Sequence, residues 1–80
     1  MYNEQVMKQT FILTLHTKHS VAIKNAENSQ TIKILTVDGN IIGGPNVSGT
    51  TGYVSVEKNN TTKTYVYDLL KGTVIKIFTT

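Results

Sequence analysis

Residues 10–17 read TFILTLHT, and their alternation decides the fold. Phe11, Leu13 and Leu15 fall on one side of an extended chain while Ile12, Thr14 and His16 fall on the other, because successive side chains of a strand point to opposite faces. The same period returns in SVAIK (20–24), in QTIKILTV (30–37) and in YVSVEK (53–58). It sets Ile32 and Ile34 against Lys33 and Leu35, and places Val54 and Val56 together. In TKTYVYD (62–68) it puts Lys63, Tyr65 and Tyr67 on one face and Thr64 and Val66 on the other, and TVIKIFTT (73–80) reads as a last strand.

Between these runs stand residues that tolerate positive φ or tight turns. Asp38-Gly39-Asn40 predicts a hairpin turn, with Ile41 and Ile42 starting a short return strand, and Asn59-Asn60-Thr61 predicts a second turn. Leu69-Leu70-Lys71-Gly72 reads as one helical turn ended by the glycine. No segment sustains a helical period, and threonine, valine and isoleucine are abundant, as strands prefer. The expected fold is all-β: a small antiparallel β-barrel or a two-layer β-sandwich of six or seven short strands.

The 80 residues make a single domain, with residues 1–9 as an N-terminal arm. Residues 43–52, GGPNVSGTTG, read as a glycine-rich loop that either joins two halves of the sheet or orders on a ligand. A domain of this size buries only about 60% of the surface its unfolded chain exposes. Small domains add disulfides, metals or partner subunits to make up the difference. Without cysteine, disulfides and thiolate metal sites are excluded; an economical core, a His/Asp/Glu metal site or oligomerisation remains, and oligomerisation is the expectation. No signal peptide and no apolar run of membrane-spanning length is visible, which predicts a cytoplasmic protein without a membrane partner.

The formal charge is +3, and every basic residue is a lysine. Bidentate guanidinium recognition of phosphate or guanine is therefore excluded, and point-charge attraction to an anion remains. The same lysines also serve to keep sheet edges soluble. Catalytic chemistry is hard to assemble from five carboxylates and two histidines. His16 and His19 are three apart, so a straight strand would send them to opposite faces, and no third ligand lies nearby in sequence. The glycine-rich segment lacks the lysine and following helix that let a loop hold a triphosphate. Tyr65 and Tyr67 beside Lys63 form a face suited either to packing at an interface or to stacking on a base beside a phosphate.

Two segments resemble the tryptophan-activated RNA-binding attenuation protein (TRAP) family. FILTLHTKHSVAIKN (11–25) is similar to that family's strand–turn–strand, and NNTTKTYVYDLLKGTVIKIFTT (59–80) to its threonine-rich loop, Lys-Gly turn and following strand. The resemblance covers about half of the chain and implies a ring or related assembly of small β subunits. The segments occur in the reverse of the family's order, which implies a circular permutation or duplication. The family's RNA-contacting strand carries lysine and, two residues later, arginine, whereas Lys24 is followed by Asn25 and Ala26. The loop that closes over a small amino-acid ligand in the family would correspond to Thr61, Thr62 and Thr64, with Ser20 opposite.

These features point to a non-enzymatic homo-oligomer that binds or sequesters an anionic ligand (a nucleotide, RNA or a small metabolite) without a cofactor or metal. The expected contacts are Lys24, Lys33, Lys63, Tyr65 and Tyr67, with Gly43, Gly44, Ser48, Thr50 and Thr51 closing over the ligand. The rival expectation is a protein-interaction module, such as a phage or mobile-element inhibitor that binds a host protein through a β edge or the tyrosine face.

Overall fold

A computed structural model describes residues 10–79, so the N-terminal arm expected at 1–9 lies outside the described residues. Seven antiparallel strands follow in chain order: β1 (Phe11–Thr17), β2 (Ser20–Asn25), β3 (Thr31–Thr36), β4 (Asn40–Ser48), β5 (Thr51–Lys58), β6 (Thr61–Asp68) and β7 (Thr73–Thr79). They form a three-stranded sheet, β1-β2-β3, and a four-stranded sheet, β4-β5-β6-β7. The fold is all-β as the alternation predicts, and of the two expected arrangements, barrel or two-layer, it has two sheets.

Register carries the periodicity into packing, because residues directly opposite each other in an antiparallel pair share a face. Leu13 pairs with Ile23 and Leu15 with Val21, and Val21 continues to Leu35 and Ile23 to Lys33. In the larger sheet Gly52 pairs with Tyr67, Val54 with Tyr65 and Val56 with Lys63. These two faces meet. Leu13, Val21, Ile23 and Val37 pack with Val54, Val56, Tyr65, Tyr67 and Leu69 in one core. The contact is close at Gly52, where a Cβ would stand 2.8 Å from Leu13 Cδ2 and 3.0 Å from Leu69 Cδ2. A glycine there lets the two sheets approach.

Two expectations are corrected. Asp38-Gly39-Asn40 does not turn back into a hairpin with Ile41 and Ile42 as its return strand; it is the crossover from the first sheet to the second. Two backbone hydrogen bonds pin it: the Val37 N–H donates to the His19 carbonyl and the Ile41 N–H to the Lys18 carbonyl, each 2.8 Å. Residues 43–52 are not a loop. Through Ser48 they continue β4, and from Thr51 they belong to β5, with Gly49 (φ 62°) at the first position of the two-residue turn between them. Glycine and proline signal a break by composition, yet β4 is an edge strand, where proline loses no ladder bond. The ladder absorbs the segment through register shifts between Ile41 and Gly43 and between Gly43 and Asn46.

The turns read from sequence are present at both ends of β6. Asn59 (φ 52°) and Asn60 (φ 62°) adopt the left-handed pair of a tight hairpin. Before β7, the Gly72 N–H reaches the Asp68 carbonyl at 2.8 Å, and Asp68 Oδ1 accepts the Leu70 and Lys71 N–H groups.

Candidate functional site

The Asn59-Asn60 turn fixes which side chains of β5 and β6 share a face. Lys58 pairs with Thr61 and Val56 with Lys63, so Val56, Lys58, Thr61 and Lys63 all lie on the core face, where it runs out into solvent at the hairpin end. With Asn59 and Asp38 they line a cleft of about 280 Å³. Asp38 comes from the crossover, whose backbone N–H makes a long 3.4 Å bond to the Tyr65 hydroxyl.

Charge in the cleft is uneven. Lys58 Nζ donates to both oxygens of Asp38, at 2.8 and 2.7 Å. That hydrogen bond, together with the Lys58 charge, holds the Asp38 carboxyl below its ordinary value, and Lys63 adds to the effect. The pair is exposed, with side chains 51% and 74% accessible, so solvent screens it heavily. One carboxylate faces two ammonium groups, leaving the cleft net positive.

The other expected contacts do not converge here. Lys24 is half-buried on β2, on the face away from the core. Lys33 lies on the core face, and its Nζ donates to the Gly72 carbonyl at 2.8 Å. Tyr65 and Tyr67 are buried, at 8% and 0% exposure, with ring centroids 6.2 Å apart. The shared face of Lys63, Tyr65 and Tyr67 exists as predicted, but the smaller sheet covers its tyrosine part, so neither ring is open to stack on a base. Burial pushes the Tyr67 hydroxyl up to about 12, with Tyr65 adding to the shift. Among the described residues that hydroxyl has no hydrogen-bond partner.

Gly43 and Gly44 sit in the bulged part of β4, while Ser48, Thr50 and Thr51 form the β4–β5 hairpin tip. Thr51 stands seven residues along β5 from Lys58, roughly 24 Å at about 3.4 Å per residue. The tip residues Ser48, Thr50 and Thr51 are therefore too far along the sheet to close over a ligand held by Lys63, while Gly43 pairs with Ser55, one residue before the partner of Lys63. Lys58 was legible in the sequence: counting outward from a two-residue turn at Asn59-Asn60 places it on the face of Val56 and Lys63. Asp38 carried no such signal, because only the crossover brings it there.

His19 turns its ring to the crossover, where Nδ1–H donates to the Gly39 carbonyl at 2.6 Å. No group of three or more histidine or acidic side chains among the described residues is placed to hold a metal ion. No helix among them is long and apolar enough to cross a membrane. Comparison with protein-family models, curated proteins and solved structures finds no match, so the resemblance to the TRAP family stands on its two sequence segments alone.

Proposed function

We propose that this chain is a non-enzymatic, cytoplasmic β protein that works as a homo-oligomer and binds a small anionic ligand. One observation carries the proposal: β7 is an outer edge strand exposed along its whole length. Val74 pairs with Tyr67 and Ile77 with Tyr65, so both belong to the core face, yet they are 46% and 45% exposed. The smaller sheet is one strand too narrow to cover them. Ile75 and Phe78, 58% and 49% exposed, add further apolar surface along the same strand.

Natural sheets blunt or cover such edges, because unpaired backbone groups flanked by apolar side chains invite pairing with another chain. Among the described residues β3 is also an outer strand, with Ile32 and Ile34 exposed. A strand from a second copy added beside β3 would supply the missing fourth strand and lie over Val74 and Ile77. Identical copies bring both the gap and the cover for it, which is why a second copy is the chosen occupant. The anion-binding half rests on the lysine-only basicity of the chain and on the Lys58–Lys63 cleft.

Native mass spectrometry and sedimentation of the untagged protein test the assembly. The expected result is one closed oligomer, which the double substitution Ile75→Lys with Ile77→Lys converts to a folded monomer with an unchanged far-ultraviolet spectrum. A wild-type monomer at all accessible concentrations overturns it. Capture of one stoichiometric foreign protein, lost on the same substitutions, would transfer the edge to the protein-interaction function instead.

A further inference from the structure

The hairpin-end cleft combines two lysines, two neutral polar side chains and an apolar floor at Val56, with one of the lysines held by a carboxylate. We propose that this cleft is a binding site for a single phosphate group, with Lys63 as its standing cation and Lys58 drawn from Asp38 to the incoming anion. The proposal rests on the anion-binding half of the function above and names the chemistry and the control of that site.

Lys58 and Lys63 are held near each other by the β5–β6 register. The pairing of Val56 with Lys63 and of Lys58 with Thr61 sets the two ammonium groups diagonally on one face, within reach of one compact anion. Asn59 and Thr61 supply an amide and a hydroxyl on the same rim. The lining offers the two lysines, Asn59 and Thr61 to a phosphate, while Tyr65 and Tyr67 are buried and give an attached nucleoside no ring to stack on. Free phosphate and the phosphate of a nucleotide present the same chemistry to the cleft.

Asp38 is then a built-in competitor. Its carboxylate occupies Lys58 with two hydrogen bonds, and a phosphate must displace it. The pair is solvent-exposed, so the displacement is cheap and reversible. Removing the carboxylate charge frees Lys58 and leaves the cleft with two uncompensated ammonium groups.

Amide nuclear magnetic resonance titrations of the full chain with inorganic phosphate, with adenosine 5′-monophosphate and with a short single-stranded oligonucleotide test this. The expected result is a saturable shift confined to residue 38 and residues 56–63, with equal affinity for phosphate and the monophosphate. Asp38→Asn should tighten phosphate binding roughly threefold, the exposed-pair energy expressed as affinity, and Lys63→Gln should abolish it. Each variant's own amide spectrum reports whether it is folded. Unchanged or weakened binding by Asp38→Asn overturns the competitor role, and monophosphate binding ten times tighter than phosphate overturns single-phosphate recognition. Oligonucleotide shifts centred on Lys24 with none in the cleft overturn the site and leave the anion-binding function standing. No shift with any of the three anions overturns both.

Discussion

Lys33 Nζ donates a 2.8 Å hydrogen bond to the carbonyl of Gly72. It ties β3, an outer strand of the three-stranded sheet, to the turn that launches β7. Lys33→Met keeps the aliphatic stem and removes the bond, so it should cost about 1 kcal/mol in urea unfolding. Because this ammonium is already committed, phosphate affinity should be unchanged in the same variant, unlike in Lys63→Gln.

Gly72 lies in the left-handed region (φ 67°), and a Cβ there would stand 2.7 Å from Lys33 Cδ. Gly72→Ala should cost about 1–2 kcal/mol from backbone strain, with a further cost from the clash. In a Lys33→Ala background the clash disappears and the strain remains. A double-mutant cycle should therefore show Gly72→Ala to be less damaging there.

The Tyr67 hydroxyl is buried and has no partner among the described residues. Tyr67→Phe removes a polar group that gains nothing from burial, so equilibrium stability near neutrality should be unchanged or higher. The pH dependence follows from the hydroxyl being pushed up to about 12. A folded value above the unfolded one means that the neutral form is favoured in the native state. That stability is fully present below about pH 10, and it is lost as pH rises through the folded value. Tyr67→Phe should flatten the difference between denaturation curves measured at pH 9 and pH 12.

Gly52 faces Leu13 of the other sheet and Leu69, leaving no room for a Cβ. Gly52→Ala should destabilise by about 1–3 kcal/mol, because the buried leucines must move to admit one methyl group. Leu69→Ala should cost about 2–5 kcal/mol by leaving a cavity at the same place. Chemical denaturation monitored by circular dichroism checks both.

If a second copy covers β7, folding and assembly are linked by mass action. The thermal unfolding midpoint of the wild type should rise with protein concentration. That of the Ile75→Lys, Ile77→Lys variant should not. A concentration-independent wild-type midpoint would count against the covered edge.

What the sequence determined by itself is local. Period-two alternation identified the strands, since side-chain direction in an extended chain follows from covalent geometry alone. The Asn59-Asn60 pair identified its hairpin, and the Asp68–Gly72 turn was legible in Leu-Leu-Lys-Gly, because left-handed φ values belong to few residue types. The shared face of Lys63, Tyr65 and Tyr67 was legible from the alternation. Tertiary structure decided which way that face looks. Only the packing of Leu13, Val21 and Ile23 across it makes the tyrosines core and leaves Lys63 at the rim. Tertiary structure also decided that Gly43–Gly44–Pro45 bulges an edge strand instead of forming a loop, since the cost of a lost ladder bond depends on whether a neighbour is there to make it. Asp38 meets Lys58, and Lys33 meets Gly72, across separations of 20 and 39 residues. No local pattern encodes those contacts, because the stacking of one sheet on the other brings them together.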